Sequence, residues 1–138
     1  MANGILQGKR GIISGALDEN SIAWKVALKA KAEGASFTLT NAPIAMRMGE
    51  IKKLATACEA EIIPADATSV EEIENLYGKS MDVLGGKIDF VLHSIAMSPN
   101  IRKGRAYGDL NYEWFLKSVD EILIHHVVGF WCPRNVQT

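Results

Sequence analysis

Gly11-Ile12-Ile13-Ser14-Gly15-Ala16-Leu17-Asp18-Glu19-Asn20-Ser21-Ile22 joins a short apolar run to a glycine turn and then to the start of a helical pattern. The run ends at Gly15. From about Ser21 the residues Ala23, Val26, Ala27 and Ala30 recur at helical spacing on one face. The stretch therefore reads as strand, loop, helix. Gly34 is a C-cap candidate for that helix, and Phe37-Thr38-Leu39-Thr40, bounded by Asn41 and Pro43, reads as a second strand.

The pattern repeats further along. Ile51, Leu54, Ala55 and Cys58 predict a second helix from about Arg47 to Cys58, followed by a third short strand, Glu61-Ile62-Ile63, with Asp66 just past it. Ser69 with Glu72 three residues on forms a capping-box pattern that opens a third helix. Its expected buried side is Ile73, Leu76, Tyr77, Met81 and Leu84, and Gly85-Gly86 ends it. Ile88-Asp89-Phe90-Val91-Leu92 is expected as a strand buried on both faces, with a long loop from His93-Ser94 to about Leu110. Strands alternating with helices predict an α/β fold: the N-terminal half of a Rossmann-type doubly wound parallel sheet, about four strands with crossover helices. Residues 1–120 form the expected dinucleotide-binding half-domain, and 121–138 an atypical tail.

Composition narrows the function. The chain has 138 residues, and 15 Lys and Arg against 16 Asp and Glu give a net charge of -1. No segment concentrates like charge, so neither nucleic acid nor a membrane surface is an expected partner. The N-terminus lacks the pattern of a secretory signal, and no apolar run approaches the roughly 18 residues that span a bilayer. A cytoplasmic location is expected. Cys58 and Cys132 lie far apart without zinc-ligand spacing, and adjacent His125 and His126 would point in different directions on a helix, so no metal site is expected.

In a doubly wound sheet, ligands bind outside the C-terminal ends of the strands, so the loops opening at Gly15, Asn41, Asp66 and Ser94 should converge. The segment from Gly15 to Ile22 departs from the G-x-G-x-x-G fingerprint: it has one glycine and a longer turn, with Ser21 at the helix mouth. A helix N-terminus with free N–H groups can still hold a pyrophosphate. On the loop alone, a plain turn at Gly15 and a plain cap at Ser21 stand equal to that reading. Asp66 likewise reads as a turn residue or as a partner for an adenine amino group.

Gly15 with six residues to Ser21-Ile22, Asp66 after the third strand, and His93-Ser94-Ile95-Ala96 after the fourth together resemble the enoyl-acyl-carrier-protein reductases, a divergent arm of the short-chain dehydrogenase/reductase superfamily. The resemblance runs from about Leu6 to Asp120, includes the stretch from Gly85 to Ile95, and is nearest in flavour to the bacterial NADH-dependent type. It implies an oxidoreductase of fatty-acid biosynthesis, with hydride passing from NADH to an enoyl thioester carried on acyl carrier protein. By the same resemblance Gly15, Ser21 and Ile22 line the pyrophosphate and nicotinamide side, Asp66 and Ala67 the adenine, and Ser94, Ile95 and Ala96 the ribose and nicotinamide. Ser98 would lie near the acyl substrate. The family often has Gly where Ala96 stands.

Cofactor choice turns on the end of the second strand. Asn41-Ala42-Pro43 is neutral and the nearest cation is Arg47 on the following helix, so NADH is favoured by the resemblance and NADPH stays open. The family also uses a Tyr to stabilise the enolate oxygen and a Lys, six residues between them, to hold the ribose. The corresponding positions after Tyr77, Tyr107 and Tyr112 are Leu84, Trp114 and Val119, so no catalytic residue is assigned. Tyr107 and Tyr112 read as packing residues. After Asp120 the resemblance fades, which suggests a shifted reading frame or truncation and a chain that is inactive alone. The alternative expectation is a non-catalytic nucleotide-binding fragment. A third is an unstable fragment that exposes the apolar edge of its fourth strand. Relatives are commonly homotetramers, and the helix beginning near Leu110, with Trp114 and Phe115, resembles the one used in that assembly.

Overall fold

The computed structural model describes residues 3–122. Three strands, β1 (Arg10–Ser14), β2 (Ser36–Thr40) and β3 (Phe90–Leu92), form a parallel sheet in the order β2-β1-β3. Ile12 lies opposite Thr38 on one side and Val91 on the other. The helices are α1 (Ile22–Ala32), α2 (Pro43–Met48), α3 (Ile51–Cys58), α4 (Val70–Leu84) and α5 (Pro99–Arg102). Residues 112–122 are also helical.

The sheet is covered on both faces because neighbouring strand residues point to opposite sides. Ile13, Phe37 and Leu39 pack with Ala23, Trp24, Ala27 and Ala30 of α1 and with Ile51, Leu54 and Cys58 of α3. Ile12 packs on the other face with Ile73, Leu76 and Tyr77 of α4. That layering is the expected Rossmann-type arrangement. Between Thr38 of β2 and Ser80 of α4, two buried hydroxyls meet at 2.7 Å.

Several local expectations change. The run Glu61-Ile62-Ile63 is not a full strand: it joins β2 at the single pair Leu39–Ile62. Leu39 N donates to Glu61 O at 2.8 Å, and Ile63 N to Leu39 O at 2.9 Å. Pro64 follows at once and has no N–H to donate, which limits the ladder. This segment still lies beside β2, on the side away from β1, so the chain visits the order expected of a doubly wound half-sheet.

The helix expected from Arg47 to Cys58 is two helices. Gly49 interrupts them, because it lies so close to Leu17 that an added β-carbon would stand 2.6 Å from the Leu17 carbonyl oxygen. In α1 the buried face includes Trp24, whereas Val26 is only half-buried. In α4 Ser80 is buried, while Met81 and Leu84 are half-buried. The capping pattern is also redirected: Ser69 Oγ accepts from Glu72 N at 3.3 Å, but Glu72 Oε2 accepts from Asp66 N at 2.6 Å. That second bond ties the helix start to the preceding loop.

The last expected strand is shorter and less buried than its composition suggested. β3 is the sheet edge among the described residues, and Val91 is 43% exposed. The long loop after it contains α5. Within it, Asn100 is 3% exposed, and its side chain exchanges two hydrogen bonds with the Asn111 backbone, at 2.8 and 3.1 Å.

Among the described residues no helix is long and apolar enough to cross a membrane. Nor do three His, Cys, Asp or Glu side chains gather there to hold a metal ion. Cys58 is buried, and burial pushes its thiol above the ordinary range. Cys132, His125 and His126 lie outside the described residues, as does most of the 121–138 tail.

Candidate functional site

The C-terminal ends of the three strands are cinched together. Ser14 Oγ donates to Leu92 O at 2.8 Å, joining β1 to β3, and Gly15 N donates to Thr40 O at 3.2 Å, joining β1 to β2. Gly15 has φ +88°, a conformation that costs an L-residue about 1–2 kcal/mol. A β-carbon there would also run into the Ser94 carbonyl, and it would lie 3.5 Å from Ile95 Cγ1. Gly15 and Ser94, nominated from separate parts of the chain, therefore lie against each other, with Ile95 alongside.

The loop from Gly15 to Ser21 turns its carbonyl oxygens toward protein donors. Ala16 O accepts from Asn41 Nδ2 at 3.1 Å, and Leu17 O from Glu50 N at 2.9 Å. Asp18 O accepts from Ser21 Oγ at 2.6 Å. Ser21 stands at the N-cap of α1, but its hydroxyl makes no cap bond to the helix; it also accepts from Leu17 N at 3.3 Å. Trp24 and Lys25 place their N–H groups on Ser21 O, leaving that of Ile22 for an acceptor from outside the helix, while Ala23 is fully buried. The Ile22 residue itself is 74% exposed.

This arrangement suits an anion. Consecutive carbonyls already committed elsewhere remove the repulsion a phosphate oxygen would meet, and a helix mouth contributes donors and a favourable dipole. The donor set therefore fits the phosphate-bearing part of a dinucleotide. Thr40, at the end of β2, carries a hydroxyl that is closed off from solvent and has no hydrogen-bond partner among the described residues, so it is not part of that donor set.

Asp66 and Ala67 enter from the loop beside β2, where Ala65 N donates to Asn41 O at 3.2 Å. Asp66 Oδ1 accepts from Thr68 N at 2.9 Å and from Thr68 Oγ1 at 2.8 Å, the bonding of a turn residue, while Ala67 is buried. Burial pushes the nearby Glu121 carboxyl upward, and the opposing charge of Lys117 draws it back; the Asp66 charge adds to the rise. Ala96 is exposed. Ser98 starts α5, and its Oγ accepts from Ile101 N at 3.4 Å.

Two tyrosines fall away from any packed position. Tyr107 is 95% and Tyr112 71% exposed, so the expectation that they serve packing is corrected: no described element covers them. Trp114 is the aromatic that the loop does engage, with Lys103 Nζ 4.3 Å and the Arg105 guanidinium 5.3 Å from its ring centroid. Sequence reasoning placed Asn41 at the opening of one of four candidate loops but gave its side chain no role, although Asn41 bonds to two other segments of the crevice. Its only sequence signal is an Asn directly after a strand.

Comparison with known proteins supplies the remaining information. The family model described as enoyl-(acyl carrier protein) reductase matches residues 15–124. A relative from Rickettsia bellii, the enoyl-[acyl-carrier-protein] reductase [NADH] FabI, is 36% identical over 107 residues, covering 76% of this chain and 40% of the relative. The enoyl-[acyl-carrier-protein] reductase [NADH] 1 of Rhizobium meliloti is 32% identical over 120 residues, covering 86% of this chain and 43% of its own length. Among solved structures, the FabI–NADH complex from Alistipes finegoldii superposes with a TM-score of 0.86 at 52% identity, covering 91% of this chain and 46% of that one. The chain thus spans less than half the length of the relatives it matches.

Proposed function

Because the chain belongs to the enoyl-(acyl carrier protein) reductase family, we propose that it forms the nucleotide-binding portion of a reductase that passes hydride from NADH to an enoyl thioester carried on acyl carrier protein. The observation that carries this reading is the contact of Gly15 with Ser94, which brings the first and last loops of the half-sheet to one point at the strand ends. In this reading the 15–21 loop and the mouth of α1 hold the pyrophosphate, with Gly15, Ser21 and Ile22 on that side. Asp66 and Ala67 border the adenine, Ser94, Ile95 and Ala96 border the ribose and nicotinamide, and Ser98 stands toward the acyl chain. NADH, which supplies the hydride when bound, is favoured over NADPH. The relatives' printed names support that preference, and Asn41-Ala42-Pro43 offers no cation for an added phosphate.

What the chain's own residues do is bind and orient. The committed carbonyls of residues 16–18 keep lone pairs off the pyrophosphate, and the backbone contact at Gly15 sets the spacing between the two halves of the cofactor. Ser98 Oγ, occupied by Ile101 N, holds the start of α5 beside the crevice. No described tyrosine has a lysine at the family spacing, and the exposure of Tyr107 and Tyr112 favours a second reading of this chain by itself, as a binder of NADH without turnover.

The test is titration of the 138-residue chain with NADH, followed by NADH oxidation with an enoyl thioester beside a version extended by a family C-terminal half. Saturable binding with turnover only in the extended form supports both statements. Turnover by the short chain would assign catalysis to groups within it, and absence of binding in either form would reject the nucleotide site.

A further inference from the structure

We infer that Asn41 is the positioning residue of the nucleotide crevice, acting through the 15–21 loop and not by touching the cofactor; the inference rests on the proposed nucleotide-binding role. Asn41 follows β2, at the position where a Rossmann-type sheet often carries the residue that meets the ribose. Here its amide is already engaged. Nδ2 donates to Ala16 O at 3.1 Å, and Oδ1 accepts from Ala42 N at 2.9 Å. The two partners settle the orientation of the amide, because a carbonyl can only accept and a backbone N–H can only donate.

The backbone of the same residue reaches the other way. Asn41 O accepts from Ala65 N at 3.2 Å, one residue before Asp66, while the adjacent Thr40 O accepts from Gly15 N at 3.2 Å. Asn41 therefore joins the loop after β1, the start of α2 and the loop after the 61–63 run. Its donor occupies the Ala16 carbonyl oxygen. The neighbouring Leu17 carbonyl is held independently by Glu50 N, so loss of the Asn41 amide should release one end of the loop without unfolding it.

Asn41→Asp separates positioning from direct contact. The carboxylate keeps an acceptor for Ala42 N, but sets an oxygen against the Ala16 carbonyl where a donor had been. A residue that met the ribose directly would gain as an acceptor for its hydroxyls. A positioning residue would lose the loop.

Two readouts are needed on the 138-residue chain: hydrogen exchange without ligand, and calorimetric affinity for adenosine and for ADP. In Asn41→Asp and Asn41→Ala we expect faster exchange confined to residues 15–21, joined by residue 42 only in Asn41→Ala, where Ala42 N loses its acceptor. ADP affinity should fall about tenfold, the worth of roughly one net hydrogen bond, with adenosine affinity within about twofold. ADP binding by Asn41→Asp that is unchanged or tighter would overturn the inference in favour of direct contact. Parallel losses for adenosine and ADP, with faster exchange across the whole sheet, would overturn it in favour of a general structural role. Should the unaltered chain bind neither ligand, the nucleotide reading fails and this inference fails with it, even if the exchange change shows Asn41 anchoring the loop. Should ADP bind and exchange stay unchanged in both variants, the nucleotide reading stands and the Asn41 inference alone falls.

Discussion

Gly15 lies against the Ser94 carbonyl with no room for a β-carbon, so the loop after β1 and the loop after β3 share one backbone contact. Two independent requirements meet at this glycine: a positive φ, and the space taken by Ser94.

Gly15→Ala is therefore expected to cost about 2–5 kcal/mol, the sum of the left-handed penalty and local overpacking. Thermal denaturation checks the stability loss. NADH titration should show weaker binding at a temperature where the variant remains folded.

The Thr38–Ser80 contact joins β2 to α4 by a hydrogen bond between buried hydroxyls. Ser80→Ala should cost about 1–3 kcal/mol, because it leaves the Thr38 hydroxyl buried without that partner. Thr38→Val with Ser80→Ala should cost less than the two single losses added together. A double-mutant cycle in urea measures the coupling, and additive losses would show that the bond contributes nothing of its own.

Glu33 fastens the N-terminal segment to the end of α1. Its carboxylate meets Lys29 Nζ at 2.7 Å and accepts from Asn3 N at 2.8 Å, and the hydrogen bond from Lys29 leads in holding its pKa below the ordinary value. A carboxyl whose folded pKa is lowered stabilises the fold above its unfolded pKa and loses that contribution as pH falls through the folded value. Urea midpoints should accordingly decline on acidification below the usual glutamate range. Glu33→Gln should lower stability at neutral pH and flatten this acid limb; an unaltered pH profile would remove Glu33 from the explanation.

Asn100 holds the segment after β3 through its paired bonds to Asn111 and through its own carbonyl, which accepts from Arg105 N at 3.0 Å. Asn100→Ala should cost about 2 kcal/mol and speed hydrogen exchange between residues 101 and 111, since it strips partners from a largely enclosed site. Exchange unchanged in that segment would mean that Trp114, beneath Lys103 and Arg105, holds it instead.

Much of the fold is legible along the chain. Gly11 to Ser14 and Phe37 to Thr40 are short apolar runs ended by turn residues, and they fall within β1 and β2. Ser69 does cap α4, through a bond to Glu72 N. These signals are local, so they survive without knowledge of the partners. The break between α2 and α3 is different: Ile51, Leu54 and Cys58 have the right period, but the interruption at Gly49 comes from its approach to Leu17, far away in sequence.

The candidate site divides in the same way. Gly15, Ser21, Asp66 and Ser94 could be nominated because a doubly wound sheet sends all its post-strand loops to one end. Which atoms meet there could not be read from any pattern: Ser14 Oγ finds Leu92 O across 78 positions of sequence, and the Asn41 amide is spent on Ala16 across 25.

By itself, the sequence determined the alternation of strands and helices, the two apolar faces of the sheet and the family, because periodicity and end signals are properties of neighbouring residues. Only the tertiary structure decided that 61–63 would pair with β2 at a single position, that Val91 would be 43% exposed at the edge of the sheet among the described residues, and that Asn41 would anchor the first loop. The reason is physical: hydrogen-bond partners and burial depend on which distant segments packing brings within about 3 Å, and composition does not record that distance.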